Sequence, residues 1–230
     1  MRKISPGERR IMRRSYTVKI IDTIRIEGFL TLTIQDLAYL MGISRASLYN
    51  FFASKEDIIL ELTEIYIEYI TRTNEFISNP RYSYKQRLPA VFEQTVFCAV
   101  YSSEIYLSQL KCTCPELYEQ ILNLTKKRMA TLHAFYENGM SDGDFTSLNS
   151  LLIIEQDEAA LESILNSTFL VDKGILLENS MYDYYEIMKY RCFTKPSIDP
   201  GKDPYIDKAV RVIVEQLSKN KKISARKNSR

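Results

Sequence analysis

Histidine is almost missing from this chain: among 230 residues only His133 is one. A serine or cysteine nucleophile paired with a histidine base would have to share that single imidazole. No Gly-x-Ser-x-Gly elbow, P-loop or dinucleotide-binding fingerprint occurs either, so no enzyme is expected and no catalytic residue is assigned. The four cysteines show no metal-ligand spacing. Cys112-x-Cys114 is too close for a usual zinc pair, so no metal or other cofactor is expected, and the thiols read as reduced and cytosolic. No run approaches ~20 consecutive apolar residues, which excludes a membrane-spanning helix. The basic opening, MRKISPGERRIMRR, lacks the apolar core and small-residue cleavage site of a secretory signal. A cytoplasmic location follows as the expectation. Internal repeats and sustained strand-like alternation are absent too, which leaves an all-α chain.

What is present is unevenly charged. The net charge is +2, yet residues 1–55 hold 10 Lys/Arg against 4 Asp/Glu, and residues 219–230 hold 6 Lys/Arg and no acid. The stretch between them therefore carries 15 basic and 25 acidic residues, a net of −10. A basic head on an acidic body suits a protein that approaches a polyanion with one end only.

The head centres on residues 33–57, TIQDLAYLMGISRASLYNFFASKED. Thr33 suits the N-cap of a first helix, with Asp36 near its positive end. Ile34, Leu37, Ala38 and Met41 share one face at helical spacing. Gly42 supplies the positive φ that a helix stop requires. Ser44 caps a second helix whose inward face is Leu48, Phe51 and Phe52, and the small Ala38 lets the two helices cross closely. At ~100° per residue, Ala46, Ser47, Tyr49 and Asn50 point largely the other way, with Arg45 at the flank. A small, polar outer face with one arginine matches a recognition helix in a major groove; an ordinary helical hairpin has the same spacing.

The run LTIQDLAYLMGISRASLYNFFASKEDIILEL resembles the tetracycline-repressor (TetR/AcrR) family of bacterial transcription regulators. Thr33, Ala38, Gly42, Ile43, Ser44, Leu48, Tyr49, Phe52, Lys55 and Glu56 stand at that family's motif positions, with Ile58 where leucine is usual. The resemblance covers about the first quarter of the chain. It implies a three-helix helix-turn-helix head, over residues 1–56, followed by a larger helical effector-binding and dimerisation domain, over 57–230. It implies that Tyr49 and Lys55 grip the DNA backbone. Together with the groove-facing pattern, the expected DNA-binding set is Thr33, Ser44, Arg45, Ala46, Ser47, Tyr49, Asn50 and Lys55.

Elsewhere, residues 1–7 read as a flexible basic arm and Glu8–Glu27 as one helix with Ile11, Tyr16, Ile20, Ile21 and Ile24 inward. Arg9, Arg10, Arg13 and Arg14 on it are candidate phosphate contacts. Ser54–Ser78 reads as a long helix ended by Asn79-Pro80; in the resembled family this helix acts as a lever between effector and head. Tyr84–Leu110 reads as one helix or two. A helix opening at Pro115 and running to about Asn138 follows, then a loop at 139–147. Helical pieces at 157–165, 169–177 and 180–193 come next, then a linker at 196–204. An amphipathic helix at 205–219 needs a surface for its stripe, on its own chain or across a dimer axis, and the resemblance favours the second. Residues 220–230 read as a disordered basic tail. Sixteen tyrosines suit a ligand cavity as well as a packed core, and His133 suits a core or pocket position.

The chain is accordingly expected to be a homodimeric repressor, released from a near-palindromic double-stranded DNA operator by a small-molecule effector of unknown identity. The alternative is a DNA-bound accessory or architectural protein whose body docks another protein and holds no small ligand.

Overall fold

A computed structural model describes residues 5–165, 167–195 and 206–215. Their regular structure is helical: α1 (Pro6–Thr17), a 3-10 turn (Val18–Ile20), α2 (Ile21–Glu27), α3 (Ile34–Met41), α4 (Arg45–Phe51), α5 (Lys55–Ile77), α6 (Tyr84–Tyr101), α7 (Glu104–Thr113), α8 (Pro115–Ser141), α9 (Ser150–Leu165), α10 (Ser167–Lys173) and α11 (Leu177–Cys192), with residues 206–215 as α12. The fold is all-α, with a helix-turn-helix near its start. Two compact units are present. One comprises the described residues up to Tyr69 with Val100–Leu122, the other Ile70–Ala99 with Asn123–Glu215.

The first unit departs from expectation at its start. The helix begins at Pro6, the first-turn position proline favours, and Ser5 and Glu8 close a capping box around it. The single helix expected over 8–27 is interrupted by the 3-10 turn. Ile20, at the end of that turn, and Ile21 and Ile24 beyond it are buried, whereas Ile11 is 70% exposed. The reason is electrostatic: α1 meets α5 through arginines rather than an apolar stripe. Arg13 pairs with Asp57 and Glu61, Arg14 with Glu61 and Glu68, and Arg10 with Glu68.

Along α5, Ile58, Ile59, Leu62, Tyr66 and Ile70 are buried at the expected spacing. The stretch from Tyr84 is two helices, and Ser103 caps the second by accepting from the Tyr106 amide. Cys114 ends α7, and Pro115 opens α8.

In the second unit the loop after α8 is shaped by aromatic packing. Phe145 contacts Tyr84, Phe135, Tyr136 and Phe193, and a bridge joins Phe145 to Phe193. Gly139 makes room for this ring, since a Cβ there would collide with it. Helix α9 begins seven residues earlier than expected. Asn149 Oδ1 accepts from the Leu151 and Leu152 amides, and the cap overrides an apolar run, LLII, that carries no helical period. On α12, Ile206 and Val210 are fully buried within this chain. Of the two surfaces its stripe could take, these two residues use their own chain. The 196–204 linker and the 220–230 tail lie outside the described residues.

Candidate nucleic-acid interface

Local chemistry builds the α3–α4 pair. Thr33 Oγ1 accepts from the Asp36 amide and the Asp36 carboxylate accepts from the Thr33 amide, a complete capping box. Gly42 sits at φ 73°, ψ 34°, with its own amide bonded to Tyr39 O and the Ile43 amide to Ala38 O. This double closure leaves few free carbonyls at the end of α3 and turns the chain sharply into α4. Ser44 Oγ then accepts from the Ser47 amide at 3.0 Å. Ala38, Leu48 and Phe52 are at most 1% exposed and Phe51 is 7% exposed, so the inward face is complete.

The opposite face stays open. Ser44, Arg45, Ala46, Tyr49 and Asn50 are exposed, Ser47 is half-buried, and Thr33 is exposed at the start of α3. The Arg45 guanidinium lies 5.7 Å from the Tyr49 ring centroid. Thr33 and Ser44 spend their hydroxyls on capping, Thr33 donating to Asp36 Oδ2 at 2.7 Å and Ser44 to Ser47 Oγ at 2.9 Å. Arg45, Tyr49 and Asn50 thus form the open polar edge of α4. Tyr39 on α3, half exposed, shares in the open surface and escaped the sequence pattern because it reads as an ordinary helical residue.

Lys55 is not a solvated first-turn residue. Its ammonium donates to Leu30 O at 2.9 Å and to Leu32 O at 2.7 Å, bracing the turn that leads into Thr33. Burial lowers its pKa, with Glu56 opposing. On the other side of that turn, Gln109 of α7 accepts from the Phe29 and Leu30 amides at 2.6 and 2.9 Å. Gly28, at φ 75°, leaves the space that the Gln109 carboxamide fills. Nothing in the local sequence pointed to Gln109, which lies 80 residues from its partner.

The four arginines of α1 divide. Arg13 binds Phe51 O, both Asp57 oxygens and Glu61, so its guanidinium closes the end of α4 onto the start of α5. Its pKa is raised, and that of Asp57 lowered, chiefly by their mutual hydrogen bonds. Arg14 pairs with Glu61 and Glu68, while Arg10 stays exposed beside Glu68 and Arg9 reaches Phe51 O at 3.4 Å. Lys19 likewise donates to Met41 O, the last residue of α3.

The second unit holds its polar groups in structural pairs. Buried Asp157 accepts from Tyr184, Tyr136 and Arg191. Burial raises its pKa, with Arg191 opposing. His133 is half exposed and bonds Ser150 Oγ at 2.7 Å, so it is not a core residue. Among the described residues no three His, Cys, Asp or Glu side chains gather as metal ligands, and no helix is long and apolar enough to cross a membrane.

Residues 23–62 match the family model described as bacterial regulatory proteins, tetR family. No curated protein matches the chain. Among solved structures, the fold is similar to a TetR family transcriptional regulator from Thermus thermophilus, at 20% identity over 75% of this chain and 96% of that one, TM-score 0.52. The ketosteroid transcriptional regulator of Mycobacterium tuberculosis aligns at 17% identity over 80% of this chain and 95% of its own, TM-score 0.56. A transcriptional regulator from Saccharomonospora viridis, in complex with choline, aligns at 15% identity over 80% and 98%, TM-score 0.55. At these identities the likeness is one of fold.

Proposed function

We propose that this chain, a TetR-family transcription regulator by its helix-turn-helix head, is a homodimeric repressor released from its operator by a small molecule. The observation that carries the DNA-binding part is the two-sidedness of α4. Leu48 and Phe51 are buried while Arg45, Ala46, Tyr49 and Asn50 are exposed in a row on a helix capped at Ser44. That face has the width and polarity to enter a major groove, where arginine and asparagine read base edges. In this reading Arg45 and Asn50 read bases, Ala46 and Ser47 set the fit, and Tyr49 contacts phosphate. Thr33 and Ser44 present the first turns of the two helices, whose free amides favour phosphate. Lys55 keeps a third donor for the backbone while bracing the turn before α3.

Dimerisation is supported by the apolar surface that α9, α10 and α11 leave open. Leu151, Leu152, Val171, Leu176 and Ile187 are each more than half exposed, and apolar side chains gathered on a surface mark sites of association. A two-fold dimer would set two α4 helices about 34–36 Å apart, or at a larger helical spacing, on a near-palindromic site. Effector release requires that the ligand favour a conformation with the wrong head spacing. The structure bound to choline is a precedent for a small ligand in a chain of this fold.

The same apolar surface also favours the second reading, a body that docks a different protein; the oligomeric state in solution separates the two. The primary test is selection of genomic fragments by the purified protein, with footprinting of the winners at two salt concentrations. A short near-palindrome with strong salt dependence is expected. Enrichment of no sequence by the free protein, with or without candidate effectors, overturns the reading.

A further inference from the structure

The Cys112-x-Cys114 pair has no part in the reading above, yet it stands at a mechanically significant place. Cys112 is exposed in the last turn of α7, and Cys114, partly exposed, is the residue at which that helix ends, with φ −139° and ψ 67°. Two bonds hold this end closed: the Cys114 amide to Leu110 O at 2.8 Å, and Thr113 Oγ1 to the Gln109 carbonyl at 2.9 Å. Gln109, one turn back, uses its side chain to hold the Phe29 and Leu30 amides immediately before the helix-turn-helix.

We propose that Cys112 and Cys114 are a dithiol modification site, oxidised by a hydroperoxide to an intrachain disulfide that opens the end of α7 and withdraws Gln109 from the turn before α3. The Cys112 thiolate attacks the peroxide: an S–O bond forms, the O–O bond breaks, and the alcohol or water leaves with a proton. The Cys114 thiolate then attacks the sulfenic sulfur, forming the S–S bond and releasing water. Sulfur supplies the two electrons that the peroxide takes up.

Geometry makes the second step a conformational one. Thr113, the last helical residue, carries Cys114 about 200° round the helix axis from Cys112, at ~100° per residue. A disulfide needs the two Cβ atoms roughly 4 Å apart. The bridge therefore forms only if Thr113 leaves its helical conformation. The Cys114–Leu110 and Thr113–Gln109 bonds that depend on that conformation are then lost. Relaxation of the last turn moves Gln109, and Phe29 and Leu30 lose the acceptor they share.

The DNA consequence of this switch rests on the proposed function, but its chemistry does not, and the test separates the two. The full-length reduced protein is treated with one equivalent of hydrogen peroxide. Trypsin cleavage after Lys111 places both cysteines in one peptide, so the expected product is that peptide two hydrogens lighter, restored by dithiothreitol. Amide exchange at Phe29 and Leu30, followed by NMR without DNA, should accelerate roughly tenfold, the equivalent of about one net hydrogen bond. Gln109→Ala should reproduce that acceleration in the reduced protein, and Cys114→Ser should abolish the response to peroxide. A bridge between two molecules, oxidation that stops at sulfinic acid, or unchanged exchange at Phe29 and Leu30 after bridging overturns the proposal. Failure of the reduced protein to select any DNA would instead refute the operator reading and leave this one standing.

Discussion

Arg13 offers the most direct test of how the head is held. Its guanidinium donates to Glu61 at 2.6 Å, to the two Asp57 oxygens at 2.7 and 3.0 Å, and to Phe51 O at 2.7 Å. It also lies 4.6 Å from the Phe52 ring centroid. The arginine and Asp57 side chains are 18% and 25% exposed, and Glu61 only 5%. Arg13→Ala would leave the Glu61 carboxylate with Arg14 at 3.5 Å as its remaining cation. Asp57 would keep its bond from the Ala53 amide, and Phe51 O would lose its best donor. Breaking a buried pair by deleting one partner costs about 3–5 kcal/mol. Partial exposure and the surviving Arg14 contact place this case at the lower end, about 3 kcal/mol. Urea unfolding of Arg13→Ala, Glu61→Ala and the double variant measures both the loss and the coupling, expected above about 1 kcal/mol. Arg13→Lys should recover little, because an ammonium cannot serve Asp57 and Glu61 as a planar fork does. A loss within about 1 kcal/mol, typical of an exposed pair, combined with weakened DNA binding, would refute the brace and restore Arg13 as a phosphate contact.

Three further outcomes are expected. Gly139→Ala should destabilise by about 1–3 kcal/mol in thermal unfolding, because the new Cβ meets the buried Phe145 ring, despite alanine's better helix propensity; a stabilised variant would contradict that packing. Burial pushes the Glu93 carboxyl up to about 6, with Lys208 opposing. Its ionisation therefore destabilises the fold above that pH and has no effect below the unfolded value. Glu93→Gln should gain about 1 kcal/mol at pH 8, after allowance for solvent screening, and nothing at pH 4; equal gains at both would exclude a titration effect. Finally, Arg45→Ala and Asn50→Ala should alter base preference in a binding selection, whereas Tyr49→Phe should weaken all sites alike. An unchanged preference profile would remove the first two from direct readout.

The helix-turn-helix was legible in the amino-acid order in detail, because the forces that shape it are local. A cap lies three residues from its amide, as Ser44 does from Ser47, and a left-handed stop needs one glycine, Gly42. Helical spacing then sorted Leu48 and Phe52 from Tyr49 and Asn50. The all-α class followed from the same periodicity. Pairings between residues far apart in the chain came only with folding. Ile11 read as core and lies in water, because Arg13 and Arg14 on the same helix found carboxylates on α5, 44 to 54 residues on. Lys55 brings its ammonium to carbonyls at Leu30 and Leu32, Gln109 reaches amides 79 and 80 residues away, and Val210 is buried in its own chain. A hydrogen bond or an ion pair has no period and no composition. Its partner is whatever polar group the packed helices bring within about 3 Å, and only the folded chain specifies that.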